Sequence, residues 1–290
     1  MATFLHQDDI RIVDGRPSVF VAETVQIAPF RNLMSGLKDM LVQTNLYLTS
    51  DGIFLFSMDR TKTVMMHLSL QAENFEKFYC KEQIVVGVNI QNLFKFISPL
   101  ETHETLTIFI EEEDYNNGVV HMLSLLFYNE AKGSQIIQKV NLIDADATER
   151  SYTDYTYSSV LCMPSSDFQR YVKCMQHVSE NVIIQSVGNE IIFQSSGDLG
   201  ASIIRHRDTT KENKPEDVNM QNIIQGEFSI RNLGFAVKCT GMCNQVEINL
   251  ENDCPMVIKY PIASLGDIRL CIGSRYSSMG GSSAAGVSVK

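Results

Sequence analysis

A chain of 290 residues is long enough for two domains of ordinary size, and 44% hydrophobic with 20% charged residues is the make-up of a soluble globular protein. The formal net charge of −10 excludes a uniformly basic nucleic-acid binder, since phosphate would be repelled unless positive charge were gathered on one surface. No apolar run approaches the ~18 residues of a membrane span, and the start MATFLHQDDIRIVDGRP is too polar for a secretory signal. Seven cysteines, at 80, 162, 174, 239, 243, 254 and 271 with no CxxC, fit free thiols in a reducing compartment: cytosol, nucleus or a virus factory in either.

Residues 1–18 read as an N-terminal extension. SVFVAETVQI then predicts a strand, and a helix follows over Phe30–Leu41, with Phe30, Leu33, Met34, Leu37 and Leu41 on the buried stripe and Arg31 and Lys38 to one side. TNLYLTS and IFLFSM predict a hairpin turning at Ser50–Gly52, and VMMHLSL a further strand. A second helix spans Ile90–Ser98, burying Ile90, Leu93 and Ile97 with Lys95 opposite. TLTIFIE and VVHMLSLLFY continue the strands. The stretch KVNLIDADATERSYTDYT, Lys139–Thr156, has little capacity to pack and reads as a connector. Beyond YTYSSVLCM, a third helix covers Ser165–Gln176, burying Phe168, Tyr171, Val172 and Met175 while Arg170 and Lys173 point away. NVIIQSV and EIIFQSS turn at Gly188–Glu190 and lead to ASIIRH. A fourth helix, Ile230–Cys239, buries Ile230, Leu233 and Val237 and leaves Arg231 and Lys238 on the other side; QVEINLE, PMVIKY and a Gly/Ser tail close the chain.

The halves repeat. Phe30, Leu33, Met34 and Leu37 match Phe168, Tyr171, Val172 and Met175 at an offset of 138, and Ile53–Asp59 matches Ile191–Gly197 at the same offset. Ile90–Leu93 matches Ile230–Leu233 at 140, as Thr105–Asp114 matches Gln245–Cys254. The fold class is therefore α+β: two similar domains of antiparallel sheet, each with two short helices, over 19–138 and 157–275. The connector occupies 139–156 and the tail 276–290.

Basic residues mark the outward face of all four helices, although Asp and Glu outnumber Lys and Arg 34 to 24 in the chain. Asp39 and Asp167 fall at helix ends. A one-signed helix layer in an acidic molecule predicts non-specific contact with the phosphate backbone; the base-reading clusters of Asn, Gln and Arg are missing. Enzyme chemistry finds no carrier: GxSxG, HExxH, P-loop and Rossmann patterns are absent, and the six histidines lack ligand spacing. Glu111–Asp114 reads as a solvated hairpin turn rather than a metal site, so no catalytic residue, metal or cofactor is expected. A structural β-protein without a DNA role would need no such basic face.

On LKDML (Leu37–Leu41), SDGIFLFSMD (Ser50–Asp59), FYCKEQIVVGVNIQNLFK (Phe78–Lys95), MPSSDFQRYVK (Met163–Lys173), FQSSGDLG (Phe193–Gly200) and CPMVIKYPIASLGDIRLCI (Cys254–Ile272), the chain resembles the proliferating cell nuclear antigen family of sliding clamps from about Val19 to Ile272. The resemblance implies a DNA clamp fold: three subunits closing a ring, with helices lining the inner face. It also implies a processivity factor that encircles duplex DNA without sequence specificity and tethers polymerase and other short-motif partners. An ATP-dependent loader opens such rings, in the nucleus or a viral replication compartment. Arg31, Lys38, Lys95, Arg170, Lys173, Arg231 and Lys238 match the family's channel-lining positions. Met58, Met65, Val140, Leu142, Ile143, Tyr152, Pro255, Cys271, Ile272 and Gly273 match its partner-motif pocket. Sheet-edge pairing between subunits falls to Ser134, Gln135, Ile136, Ile137, Gln138 and Lys139 against Ala201, Ser202, Ile203, Ile204 and Arg205. A subunit of a heterotrimeric, checkpoint-type clamp is the alternative. Three departures stand out: a longer connector carrying Arg150, IGSRY after Cys271, and Gly188 where many eukaryotic members carry a modifiable lysine. Together with the N-terminal extension and the tail, they suggest a divergent or viral member.

Overall fold

The protein, a computed structural model, is described over residues 10–59, 61–101, 104–116, 118–144, 156–208 and 223–275. It divides into two units, the first made of Met1–Ser57, Leu68–Thr148 and Ile262–Asp267, the second of Met58–His67, Glu149–Pro261 and Ile268–Lys290. Tyr152, Arg150 and the Gly/Ser tail lie outside the described residues.

Unit 1 runs β1 (Ile12–Val13), β2 (Arg16–Thr24), α1 (Ile27–Met40), β3 (Gln43–Thr49), β4 (Gly52–Met58), β5 (Val64–Gln71), β6 (Lys77–Cys80), β7 (Ile84–Asn89), α2 (Ile90–Ile97), β8 (Thr105–Glu111), β9 (Tyr115–Asn116), β10 (Val119–Val120), β11 (Met122–Asn129) and β12 (Ser134–Asn141), except that Met58 and the first half of β5, Val64–His67, count with unit 2. One sheet has the order β1-β2-β8-β11-β12, with β6 also on β2; β7, β3, β4 and β5 lie side by side in another, and β9 and β10 form a small hairpin. Unit 2 runs β13 (Ser159–Pro164), α3 (Ser165–Gln176), β14 (Asn181–Val187), β15 (Glu190–Gly197), β16 (Gly200–Arg207), β17 (Ile224–Ser229), α4 (Ile230–Ala236), β18 (Gln245–Leu250), β19 (Met256–Ile262) and β20 (Gly266–Ile272). Its strands lie in the orders β13-β18-β19-β20 and β16-β15-β14-β17. Strand order β2-β8-β11-β12 thus recurs as β13-β18-β19-β20, and β7-β3-β4-β5 as β17-β14-β15-β16. The offset of 138 holds for the starts of α1 and α3, and that of 140 for β7 and β17. The α+β class with two similar domains is what the strand orders show.

Local chemistry explains where the helices depart from expectation. α1 starts at Ile27, not Phe30, because Pro29 sits in the first turn, where backbone N–H groups lack intrahelical partners and a missing donor costs little. α2 starts on Asn89, whose side chain accepts from Asn92 N at 2.9 Å. The fourth helix is shorter than its sequence pattern: α4 ends at Ala236, and Val237–Met242 continues as a tighter 3-10 turn. Gly234 weakens a helix of only 7 residues, and the Thr240 hydroxyl donates to Val237 O at 2.6 Å, holding the tighter winding.

In unit 1 the buried face of α1 (Phe30, Leu33, Met34, Leu37) and of α2 (Ile90, Leu93) closes on Leu46, Leu48, Ile53, Leu70, Val86, Ile108 and Leu123 around one apolar interior. In unit 2, Phe168, Val172 and Met175 of α3 are buried, with the Phe168 ring 6.3 Å from Phe193 of β15. Tyr171, expected on the buried stripe, is half-buried; its hydroxyl meets His206 Nδ1 at 3.1 Å.

The acidic stretch after β8 also differs from a solvated turn. Glu111 is the last residue of β8 and only 4% exposed, held by Arg16 Nη1 at 2.9 Å and Lys139 Nζ at 3.1 Å. Only Glu112–Asp114 forms the 3-10 turn.

Candidate nucleic-acid interface

Burying one stripe of each helix fixes where its cations go. Arg31, one residue after buried Phe30, is half-buried and donates from Nη1 to Leu100 O at 2.8 Å, tying α1 to the segment after α2. Lys38 lies with Nζ 4.1 Å from the centroid of Phe94 on α2, a cation over an aromatic face. Lys95 is exposed, and its ammonium lies 3.4 Å from Asn92 Oδ1. In unit 1 all three cations thus have partners within the protein, and Arg31 and Lys38 are the two that are half-buried.

Unit 2 presents its cations more openly. Arg170, Lys173, Arg231 and Lys238 are all exposed. Asp167 does more than cap a helix end: its carboxylate accepts from Arg170 Nη2 at 3.1 Å, one turn along, and so shares the outward face expected to be purely basic. An exposed pair of this kind is weak and yields to a phosphate. Lys238 belongs to the 3-10 turn rather than to α4, with Nζ 5.2 Å from the Phe235 ring centroid. Beside Lys173 a shallow groove is lined by Ser166, Gln169, Arg170, Cys174 and His177. Gln169, Cys174 and His177 were missed by a reading that looked for charge alone; the available signal was that Gln169 and His177 lie four residues either side of Lys173, and Cys174 four after Arg170.

The matched partner-pocket positions divide by unit. In unit 1, Val140 is buried in β12, while Leu142 and Ile143 are half-buried just beyond it. Leu142 N donates to His121 O and Ile143 N to Gly87 O, both at 2.9 Å. A Cβ on Gly87 would lie 2.4 Å from Ile143 O, so glycine is what lets this backbone approach β7. In unit 2, Met58 and Pro255 are half-buried, Met65, Cys271 and Ile272 buried, and Gly273 exposed. Gly273 N reaches Thr63 O at 3.4 Å, which sets the C-terminal strand beside the 58–67 segment. Asp59 organises that segment by accepting from the backbone N–H groups of Thr61, Thr63 and Val64 and from the Thr61 hydroxyl. Burial works to raise its carboxyl, but these donors together hold it below the usual aspartate value. Burial pushes the Cys271 thiol up to about 11.

Two strands end their sheets. β12 pairs only with β11 and β16 only with β15 among the described residues. Ser134, Gln135 and Ile136 are exposed, Ile137, Gln138 and Lys139 half-buried. Along β16, Ala201, Ile203 and Arg205 are exposed, alternating with half-buried Ser202 and Ile204. Rows of unpaired N–H and C=O groups of this kind are templates for another strand.

The geometry can be set beside known proteins. Residues 19–149 match the family model for the N-terminal domain of proliferating cell nuclear antigen, and residues 151–274 the model for its C-terminal domain. The chain is also 26% identical, over 262 residues, to the probable DNA polymerase sliding clamp 1 of Paramecium bursaria Chlorella virus 1, a match covering 90% of this chain and 98% of that one.

Proposed function

The chain belongs to the proliferating cell nuclear antigen family, and from that premise we infer that it works as a DNA polymerase sliding clamp, a non-enzymatic processivity factor in DNA replication. The observation that carries the reading is the recurrence, in both units, of helices that bury an apolar stripe and turn Lys or Arg outward, within a chain of net charge −10. Contacts from Arg31, Lys38, Lys95, Arg170, Lys173, Arg231 and Lys238 to phosphate are individually weak, screened by salt and indifferent to sequence. Such contacts let a protein translate along duplex DNA; retention must then come from topology, a homotrimeric ring closed by pairing β12 of one copy with β16 of the next. An ATP-driven loader would open the ring, and polymerase and repair proteins would dock through short motifs on the matched positions in each unit. Replication in a nucleus or a viral compartment is the setting this function requires. No observation favours a heterotrimeric assembly.

The test is a Lys38/Lys173/Lys238→Ala triple variant. Loading and processive synthesis should fall while the thermal midpoint stays near that of the parent, and the slope of log affinity against log salt should shrink by about 0.9 for each phosphate no longer neutralised. Processive synthesis at the parent's level would overturn the channel assignment. Light scattering over a dilution series should give about three times 32.6 kDa for the ring.

A further inference from the structure

The first described residues do not hang off the sheet. β1 folds back on β2, pairing Val13 with Arg16, and Val13 is buried against the side of the unit 1 sheet opposite its helices. It completes a small cluster with Val21 and Phe109, around which Tyr79, Leu126 and Ile137 pack. The last of these belongs to β12, the free edge. Two polar ties fasten the same segment to the same strand. Gln135 Nε2 donates to Asp14 Oδ1 at 3.3 Å near the start of β12. Buried Glu111 joins Arg16, at the base of the segment, to Lys139 near the strand's end.

We propose that Arg11–Gly15 is a strap that forms the outer shoulder of the β12 edge and contacts a second copy of this chain docked there, with Asp14 facing Arg205 of that copy. The inference rests on the ring reading. Side chains alternate along a strand, so when β16 continues the sheet its outward residues align with those of β12. On β12 the outward set is Gln135, Ile137 and Lys139, because Ile137 packs on the Val13 cluster and Gln135 holds Asp14. On β16, Ile204 lies opposite Phe193, whose ring packs on Phe168 of α3, which leaves Ala201, Ile203 and Arg205 on the side away from the helix. Ile203 is 61% exposed, and Ile183 joins it across β14–β15–β16 on the same face. An apolar, basic flank therefore meets an edge whose outer side carries apolar cover and a carboxylate. Charge and apolarity match on the two sides.

The experiment measures trimer dissociation by light scattering on the full chain, a variant lacking residues 1–15, and the cycle Asp14→Gly, Arg205→Ala and the double variant. Glycine suits the positive φ of 50° at Asp14, so that substitution removes the carboxylate without straining the turn. The deletion should raise the dissociation midpoint about tenfold or more. Asp14→Gly and Arg205→Ala should each raise it about two- to fivefold and together by less than the product of the two, as for groups that touch across an interface. If the deletion fails to fold, the cycle decides alone. A trimeric parent with multiplicative single effects, or with none, overturns the strap contact and leaves the ring reading standing. A parent that stays monomeric at every concentration overturns both.

Discussion

The two units share a strand order but not a surface. In unit 1 the helix cations are placed by neighbours, Arg31 by Leu100 O and Lys38 by the Phe94 ring, and the far side of the sheet is covered by the β1 segment. Unit 2 leaves Lys173 and Arg231 exposed, and across β17, β14 and β15 it carries a hydrogen-bonded glutamine row, Gln225–Gln185–Gln194, with steps of 2.7 and 3.0 Å. Duplication preserves what the core demands, the period and volume of the buried stripe, because a change there costs several kcal/mol. Exposed positions cost tenths and are free to diverge. The cores should therefore respond alike to equivalent insults, and the surfaces should not.

The strongest way to break this comparison is to empty the same site in each repeat. Phe30→Ala and Phe168→Ala remove equivalent buried rings, and each should cost about 3–5 kcal/mol, read as the fall in denaturant midpoint. A value near 1 kcal/mol for one of them would show that its repeat collapses around the gap and that the cores are not equivalent. Thiol chemistry contrasts core with surface within unit 2. Cys271 is buried with its thiol at about 11, so roughly a thousandth of it is thiolate at pH 8, and that fraction rises tenfold per pH unit below 11. Exposed Cys174 should label at once with a maleimide, and Cys271 only after unfolding. Rapid modification of both thiols in the native protein would contradict the burial of β20.

Helix capping gives a smaller, sharper difference. α2 and α4 start at equivalent positions, yet only Asn89 accepts a side-chain hydrogen bond from its helix; Ser229 makes none. Asn89→Ala should cost about 1 kcal/mol and Ser229→Ala close to nothing, by thermal or denaturant midpoint. Equal costs would mean that Ser229 caps α4 in solution.

Much of this was legible in the sequence for a physical reason: buried positions must obey a period. The stripes Phe30/Leu33/Met34/Leu37 and Phe168/Val172/Met175, the turns at Ser50–Gly52 and Gly188, and the offsets of 138 and 140 all follow from it. What stayed hidden was set by pairings distant in sequence. Glu111 reads locally as the start of a solvated turn, and its burial is decided by Arg16 and Lys139, neither of them near it in sequence. Val13 sits in a polar stretch, and its burial depends on Phe109 and Ile137. The early end of α4 came from a weak combination, Gly234 before Val237 and Thr240, that a hydrophobic period cannot see. For the candidate interface, the sign and side of each cation could be read, but not which cations are already held by a ring or a carbonyl.

Asp167 supplies the smallest and most discriminating prediction. Its ion pair with Arg170 is the point at which the outward face of α3 departs from pure basicity, whereas Lys95 of α2 donates to the neutral Asn92 Oδ1. An i,i+3 pair at an exposed site is worth about 0.2–0.5 kcal/mol, so Asp167→Asn should leave the thermal midpoint almost unmoved. If this face meets duplex DNA as proposed, affinity should nevertheless rise at low salt, because the substitution would remove a negative charge from that face and free Arg170. The gain should vanish as ionic strength approaches a level where the screening length falls to about 3 Å, near 1 M. An affinity that is unchanged at about 50 mM salt, where screening is still weak, would place the α3 cations away from the duplex. The more open surface of unit 2 would then need a different ligand from that of unit 1.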